Sequence, residues 1–441
     1  MHFRTVYRGA RHAWHSIAGC WRRPYAIAPA PRLKVEPPEQ LSGGHLRHTP
    51  ELDGIRGWAC GSVLILHCLT GILQVPPYSW LWELGNHTFT LFLSGVDLFF
   101  VLSGFLIGGL LLDSRNQPHF FKSFWIRRVA RILPVVYLVL ATYVVAFSVT
   151  AYFHVTRFDS WLLAQNPAPL WTYMTFTQNL PMALAGTTQN DGPKWIVPMW
   201  SLSIEEQFYL LFPFAVYFLR RRWIVVLVVC GILAAPVLRE LIDREFGNAF
   251  ASYVLPPTRI DSLLFGVAVA LIVRNKHAFA VVTRYRRLLD IAALVILYSI
   301  VTNWVLPLWP GTTPVYPLRY SVIAFMWAVM ILRIFTYENS LFNKIWRSSV
   351  LVKIGLISYG AYMYNEIVNG LVHGWLFNQE PMIKAPEHIL AGLGVFAITL
   401  GLATISYIYF ERPIRRFGAA IAKSLARDNG RSRILAHALP E

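Results

Sequence analysis

Between residues 54 and 410 the chain alternates apolar stretches of similar length with polar segments. Each apolar stretch is close to the roughly 20 residues that an α-helix needs to cross about 30 Å of hydrocarbon. The pattern predicts an all-α fold, a polytopic membrane bundle of about ten transmembrane helices. The predicted spans are residues 54–74, 88–112, 132–152, 198–219, 223–240, 258–273, 288–304, 318–335, 352–374 and 388–410.

Lysine and arginine are concentrated in every second connection between these spans. Cytoplasmic loops of membrane proteins carry such an excess of basic residues. The alternation is consistent with ten spans and predicts that both termini are cytoplasmic. The basic connections contain Arg115, Lys122, Arg127, Arg128 and Arg131, then Arg220, Arg221 and Arg222, then Arg274, Lys276, Arg284, Arg286 and Arg287, then Lys344, Arg347 and Lys353.

Composition agrees with a multi-pass membrane protein. The 441 residues are 55% hydrophobic and only 14% charged, and the mean hydropathy is +0.45, whereas soluble domains are about 25% charged. A net charge of +17 would indicate nucleic acid in a soluble protein. Here the basic residues are explained by topology, so we expect no nucleic-acid partner. The four cysteines have neither disulfide-framework nor zinc-site spacing, and we expect no metal.

The chain divides into three predicted parts. Residues 1–50 are basic and contain proline-rich pieces typical of a flexible cytoplasmic segment. Residues 51–417 form the transmembrane domain, and residues 418–441 a short basic cytoplasmic tail. The longest outward connection, 153–197, combines amide and aromatic side chains. That mixture suits a sugar-like ligand, although an aromatic belt at the membrane interface is the favoured interpretation of its tryptophans.

Two ionisable residues of the first span share one helix face. Arg56 and His67 are eleven residues apart, and at 100° per residue this separation is within about 20° of three full turns. The rise between them is about 16 Å. Ionisable groups at membrane depth are costly and are functional candidates by default.

The other ionisable residues fall into two layers when each span is placed by its direction. The outer layer contains His67 and the acidic candidates, with one arginine among them. The cytoplasmic layer contains only arginines. The outer layer is His67, Asp97, Glu205, Glu206, Arg259, Asp261 and Glu366, and the cytoplasmic layer is Arg56, Arg127, Arg128 and Arg131.

The two layers suit two kinds of chemistry. Guanidinium groups bind phosphates bidentately and keep their charge. A histidine beside a carboxylate can act as a general base. Coenzyme A has phosphates at one end and a thioester at the other, so an acyl-CoA would span both layers. Each residue also has a structural interpretation: a hydrogen-bonded histidine, topology arginines, a snorkelling or capping Glu206, and an ion pair of Arg259 with Asp261.

Seven motifs in order closely resemble the membrane-bound acyltransferase 3 family over residues 50–417. Each motif alone is weak, but the ordered set is specific. The motifs are LDGIRGWACGSVLILH, SGVDLFFVLSGFLI, FWIRRVARILPVVYL, PMWSLSIEEQFYLLFP, RIDSLLFGVAVAL, ISYGAYMYNEIV and YFERPIRRF. Members of the family transfer acyl groups, often acetyl from acetyl-CoA, to hydroxyls of sugars, polysaccharides, lipid-linked glycans or macrolides.

The resemblance implies roles for matching residues. Arg56, Arg128 and Arg131 are expected to bind the CoA phosphates. His67 is expected to act as the base or as a transient acyl carrier, with Asp97 or Glu205 orienting it. The predicted substrate-binding residues are Glu206, Arg259, Asp261 and Glu366. Some relatives carry an extracytoplasmic esterase-like domain after the membrane part; the short tail here leads us to expect that the membrane domain or a separate partner completes the transfer.

The resulting hypothesis is an O-acyltransferase of the bacterial plasma (inner) membrane. It would move an acyl group, acetyl by default, from cytoplasmic acyl-CoA to a carbohydrate, lipid-linked glycan or macrolide acceptor, in contact with membrane lipids. One alternative is a secondary transporter with a His–carboxylate proton relay, but the arginine layer and the absence of paired broken helices favour the enzyme. An inactive membrane scaffold is a third possibility.

Overall fold

The computed structural model describes residues 49–70, 80–153, 168–186, 195–247, 249–302, 316–337 and 340–437. The predicted flexible segment 1–50 lies outside the described residues except for its last two positions. Part of the outward connection, with Trp161, Gln189, Asn190 and Asp191, lies outside them as well. Within the described ranges the secondary structure is helical, with no β-strand.

Sixteen α-helices follow one another along the described chain. We number them α1 to α16, and short π-helical turns follow α1 at Leu66–Thr70 and α15 at Tyr407–Glu411. The helices are α1 Pro50–Ile65, α2 Trp80–Ser114, α3 Phe120–Tyr152, α4 Leu170–Met174, α5 Asn179–Ala185, α6 Met199–Phe218, α7 Arg221–Phe246, α8 Ala249–Val254, α9 Pro256–Val273, α10 Lys276–Arg284, α11 Arg286–Thr302, α12 Arg319–Thr336, α13 Leu341–Trp346, α14 Ser349–Phe377, α15 Pro386–Ser406 and α16 Arg412–His437.

Six helices of the described part are long and apolar enough to cross a membrane. They are Thr88–Ser114, Phe120–Tyr152, Arg221–Phe246, Phe250–Val273, Arg319–Thr336 and Pro386–Leu425. The other four predicted spans coincide with α1, α6, α11 and α14, which are helical but do not meet the same criteria of length and hydropathy. The all-helical fold is confirmed, while ten spans and cytoplasmic termini stay predictions.

Helices α1 and α14 pack side by side with their backbones in contact. A Cβ atom on Gly57 would lie 1.9 Å from the carbonyl oxygen of Leu351, and one on Gly355 would lie 1.9 Å from that of Asp53. Only glycine permits this approach. Farther along, Cys60 donates to the carbonyl oxygen of Ser358 at 3.7 Å. Just after α1, His67 lies 2.7 Å from Glu366 of α14. From the pair Cys60–Ser358 to the pair His67–Glu366 the contacts advance in the same direction along both helices, so α1 and α14 run parallel.

Two buried ion pairs connect the neighbouring helices. Arg259 of α9 donates to Asp97 of α2 at 2.8 Å, and Arg239 of α7 donates to Asp261 of α9 at 2.9 Å. All four side chains are almost fully buried. The predicted ion pair between Arg259 and Asp261 is therefore replaced by two pairs, each with a residue of another helix.

Candidate active site

A cavity lined by three arginines lies between α1, α2, α3, α6 and α14. Together with its opening it encloses about 900 Å³. Arg56 from α1 and Arg128 and Arg131 from α3 line it. The structure therefore brings these three arginines together, as the sequence predicts. Arg127, the fourth arginine of the predicted layer, is exposed and does not belong to the lining.

Helix geometry and aromatic contacts position the arginines. Arg128 and Arg131 are three residues apart, so they project from one face of α3. The guanidinium of Arg128 lies 5.8 Å from the ring centroid of Phe124 and 5.7 Å from that of Tyr209. Arg56 donates to Asp53, one turn earlier, at 2.9 Å. Within the described ranges no carboxylate lies within 4.0 Å of Arg128 or Arg131. Both guanidinium groups can therefore bind an anionic ligand.

Glu205 lies in this cavity together with the arginines. The Tyr209 hydroxyl donates to Oε2 of Glu205 at 2.9 Å and also contacts the Ser103 hydroxyl. The three side chains form a hydrogen-bonded chain along the wall formed by α2 and α6. Glu206 interacts electrostatically with Arg128 and Arg131 but does not line the cavity.

His67 lies in the π-helical turn that follows α1. Its Nδ1 atom is 2.7 Å from Oε1 of Glu366 and 2.7 Å from Nδ2 of Asn365. The Asn369 amide donates to the backbone carbonyl oxygen of His67 at 3.2 Å. Next to it, the Cys68 thiol donates to Oδ1 of Asn365 at 3.3 Å. Single π turns inside helices are frequent at functional sites, and here the turn is secured by three residues of α14.

The contacts at Nδ1 restrict the protonation state of His67. Nδ1 either carries a proton that it donates to Glu366 or lacks one and accepts from Asn365. When Nδ1–H donates to Glu366, the other ring nitrogen, Nε2, is free to accept a proton. A carboxylate on Nδ1 also stabilises the imidazolium that forms. This pair can therefore act as a general base.

The expected partners of His67 differ from those in the structure. Asp97 accepts from Arg259 and from Ser262, the latter at 3.2 Å, and Glu205 lies with the arginines. The carboxylate that contacts the histidine belongs to Glu366, a predicted substrate-binding residue. Hydropathy places a residue at a depth along its helix, but a single sequence does not show which helix its side chain faces.

Three contributing residues have no role assigned from the sequence. Asn365 lies beside Glu366 in the outer half of the ninth predicted span, but only Glu366 is a predicted substrate-binding residue. Tyr209 follows Glu205 by four residues and therefore shares its helix face. Tyr362 precedes Glu366 by four residues and lines the cavity.

Helix α14 connects the arginine cavity to His67. Ser358, Tyr359, Tyr362 and Met363 line the cavity, and Glu366 follows Tyr362 by one turn, about 6 Å along the helix axis. Arg56 on α1 and His67 in the π turn that follows it are about 16 Å apart along the axis. The two parallel helices thus connect one arginine of the cavity, Arg56, to the histidine–carboxylate pair.

The amides of the outward connection are structural where they are described. Gln178 is fully buried and donates to the carbonyl oxygen of Met199 at 2.9 Å. Asn179 is fully buried, donates to that of Val254 at 3.4 Å, and accepts from Gln207 at 3.2 Å. Neither amide is available to the sugar-like ligand that their composition suggested.

Comparison with known proteins gives one consistent family. The profile of a family described as "Acyltransferase domain" matches residues 49–409. The chain is 28% identical over 386 residues to the peptidoglycan O-acetyltransferase OatA of Listeria monocytogenes, covering 84% of this chain and 56% of that protein. It is 27% identical over 407 residues to the O-acetyltransferase OatA of Staphylococcus aureus, covering 84% and 58%. The chain thus spans a little over half the length of these curated relatives. No solved structure matches it.

Proposed function

This chain belongs to the acyltransferase 3 family, and from that premise we propose that it is an integral membrane O-acyltransferase. The donor is an acyl-CoA, acetyl-CoA by default, that enters from the cytoplasmic side of the bacterial plasma membrane. The acceptor is a hydroxyl group of a carbohydrate or glycoconjugate. The peptidoglycan named for the Listeria relative makes a cell-wall polysaccharide the first acceptor to test, ahead of a lipid-linked glycan or a macrolide.

The arginine cavity supports the assignment of the donor. Arg56, Arg128 and Arg131 line it, and arginine forms paired, charge-assisted hydrogen bonds with phosphate oxygens. The pantetheine arm of CoA extends on the order of 15–20 Å, which is comparable to the rise of about 16 Å from Arg56 to His67. Phosphates bound at the arginines would place the thioester near the histidine.

The pair of His67 and Glu366 supports the chemistry. Nδ1–H of His67 donates to Glu366 while Nε2 accepts the proton of the acceptor hydroxyl. The hydroxyl oxygen then attacks the thioester carbonyl carbon, the C–O bond forms, and the C–S bond breaks. The sulfur leaves with the electron pair, and the proton held on Nε2 passes to it to give the free thiol of CoA. A transient acyl group on His67 is the alternative route to the same products.

The single observation that carries the proposal is the pairing of α1 with α14. The two helices run parallel in backbone contact. Arg56 of the first and Tyr362 of the second line the cavity. Further along, His67 and Glu366 contact each other. This arrangement supports a donor that reaches from the cavity to the histidine.

The proposal is tested in inverted membrane vesicles given acetyl-CoA that is labelled in its acetyl group. We expect label to enter a glycan or lipid-linked fraction with the wild type and not with His67→Ala. His277→Ala, which changes an exposed histidine, serves as the control and should transfer label normally. Transport of a solute without consumption of acetyl-CoA would replace the enzyme by a transporter, and equal transfer by wild type and His67→Ala would remove His67 from the chemistry.

A further inference from the structure

The motif YFERPIRRF, residues 409–417, supplies none of the residues of the proposed acyl transfer. It covers the π-helical turn after α15 and the first residues of α16. Its carboxylate, Glu411, is buried. The first arginine after the proline, Arg415, is half-buried, while the next residue, Arg416, is exposed. The two neighbouring arginines therefore have different environments on one helix.

Close packing brings α16 against the arginine-bearing part of α3. A Cβ atom on Gly418 would lie 2.4 Å from the Cβ atom of Ala130. Ala130 directly precedes Arg131, and Arg415 is three residues before Gly418 and so lies on nearly the same face of α16. The helix contact thus places Arg415 beside Arg131.

The charges around Arg415 agree with this placement. Arg415 interacts electrostatically with Arg131 and with Asp53. The electrostatic environments of Arg56 and Arg128 each include Arg415. All three arginines that line the cavity are therefore within electrostatic range of a fourth one. The carboxylates of Glu411 and Asp53 offset part of the repulsion among these arginines, and an anion bound among them would offset it further.

The nearby carboxylate does not pair directly with Arg415. Glu411 accepts a hydrogen bond from Ser406 at 3.2 Å, and Ser406 in turn contacts the Tyr364 hydroxyl at 2.7 Å. Among the described residues no carboxylate lies within 4.0 Å of Arg415. Its guanidinium lies 6.0 Å from the ring centroid of Tyr407, which supports the side chain without neutralising it.

We propose that Arg415 is a fourth anion-binding residue of the donor site and binds a phosphate group of the nucleotide end of the acyl-CoA together with Arg131. The proposal rests on the proposed function, since it assumes a donor that ends in a phosphorylated nucleotide. The ligand recognised by Arg415 is the phosphate, not the acyl or pantetheine part of the donor.

The experiment compares two ligands with the full-length protein in detergent: CoA, which carries phosphates, and pantetheine, which carries none. Loss of a charge-assisted hydrogen bond weakens binding by about 10- to 100-fold. We expect Arg415→Ala to raise the dissociation constant of CoA by this factor and to leave that of pantetheine unchanged. Arg415→Lys, which keeps the charge but not the paired donors, should recover part of the loss. Arg416→Ala is the matched control and should bind CoA as the wild type does.

The outcomes separate this proposal from the proposed function. Wild-type protein that fails to bind CoA removes the donor assignment and the role of Arg415 together. Wild-type binding of CoA that Arg415→Ala retains in full overturns the role of Arg415 alone. A purely structural role would lower the thermal stability of the ligand-free Arg415→Ala variant and weaken CoA and pantetheine equally, which also overturns the proposal.

Discussion

Oε1 of Glu366 lies 2.7 Å from Nδ1 of His67, across the contact between two parallel helices. On the same helix, Asn365 contacts the imidazole of His67, and Asn369 donates to the backbone carbonyl oxygen of His67. The histidine is thus held from one side by α14, through its Nδ1 atom and its backbone carbonyl oxygen. Glu366 thus occupies the place beside His67 that the sequence predicts for Asp97 or Glu205.

Replacing Glu366 by glutamine should reduce turnover strongly while leaving donor binding intact. The amide keeps the shape of the side chain but no longer stabilises a charged imidazolium, and analogous changes in catalytic triads lower turnover by up to about 10⁴-fold. Steady-state kinetics with acetyl-CoA measure the effect. Glu240→Gln, at an exposed carboxylate paired with Arg244, is the control. An unchanged turnover in Glu366→Gln would show that the pair has no catalytic role.

Replacing Arg128 or Arg131 by alanine should raise KM for acetyl-CoA more than it lowers kcat. A hydrogen bond to a charged group is worth about 1.5–3 kcal/mol, which corresponds to roughly 10- to 150-fold in affinity. The measurement is KM at fixed acceptor concentration. Arg127→Ala, at an exposed position on the same helix, should behave as the wild type. Equal effects of all three substitutions would mean that the arginines act only through topology or general charge.

Replacing Asp97 by alanine should destabilise the fold. The change leaves Arg259, which is fully buried, without its carboxylate, and breaking a buried pair costs about 3–5 kcal/mol. Thermal unfolding in detergent should show a clearly lower midpoint for Asp97→Ala than for His67→Ala. Removing both partners in Asp97→Ala with Arg259→Leu should recover part of the loss. A stable but inactive Asp97→Ala would instead indicate a direct role in catalysis.

Replacing Gly57 by alanine should disrupt the contact of α1 with α14. The new methyl group would lie 1.9 Å from a backbone oxygen of Leu351, and forcing such a group into a packed interface costs about 1–3 kcal/mol or more. We expect less folded protein and lower activity, measured by size-exclusion recovery and label transfer. Gly61→Ala, on the same helix with no atom within 4 Å of the new group, is the control. Equal behaviour of the two variants would contradict the close packing of these helices.

The sequence predicts the helical fold and the three arginines of the cavity well. Hydropathy reports helix positions directly, and the three-residue spacing of Arg128 and Arg131 fixes their common face. The glycines of SGVDLFFVLSGFLIGG in the second span are likewise typical of close helix packing, and a Cβ atom on Gly104 would lie 1.9 Å from the carbonyl oxygen of Leu263.

The partners of buried charges could not be predicted. Asp97, Glu205 and Glu366 fall into one layer by depth, but each faces a different neighbour: Arg259, Tyr209 and His67. Those choices depend on which helices are adjacent and how they are rotated, and neither follows from a single sequence. The π turn at His67 also changes the direction in which this side chain projects. A helix face calculated at 100° per residue assumes a regular α-helix up to the histidine.

The central claim is that one helix pair binds the donor at Arg56 and performs the chemistry at His67. The most direct measurement combines CoA binding with acetyl transfer for the same His67→Ala protein in detergent. The account predicts a dissociation constant for CoA close to that of the wild type and no detectable transfer. Loss of CoA binding in His67→Ala, or transfer at the wild-type rate, would contradict the separation of binding and chemistry along α1.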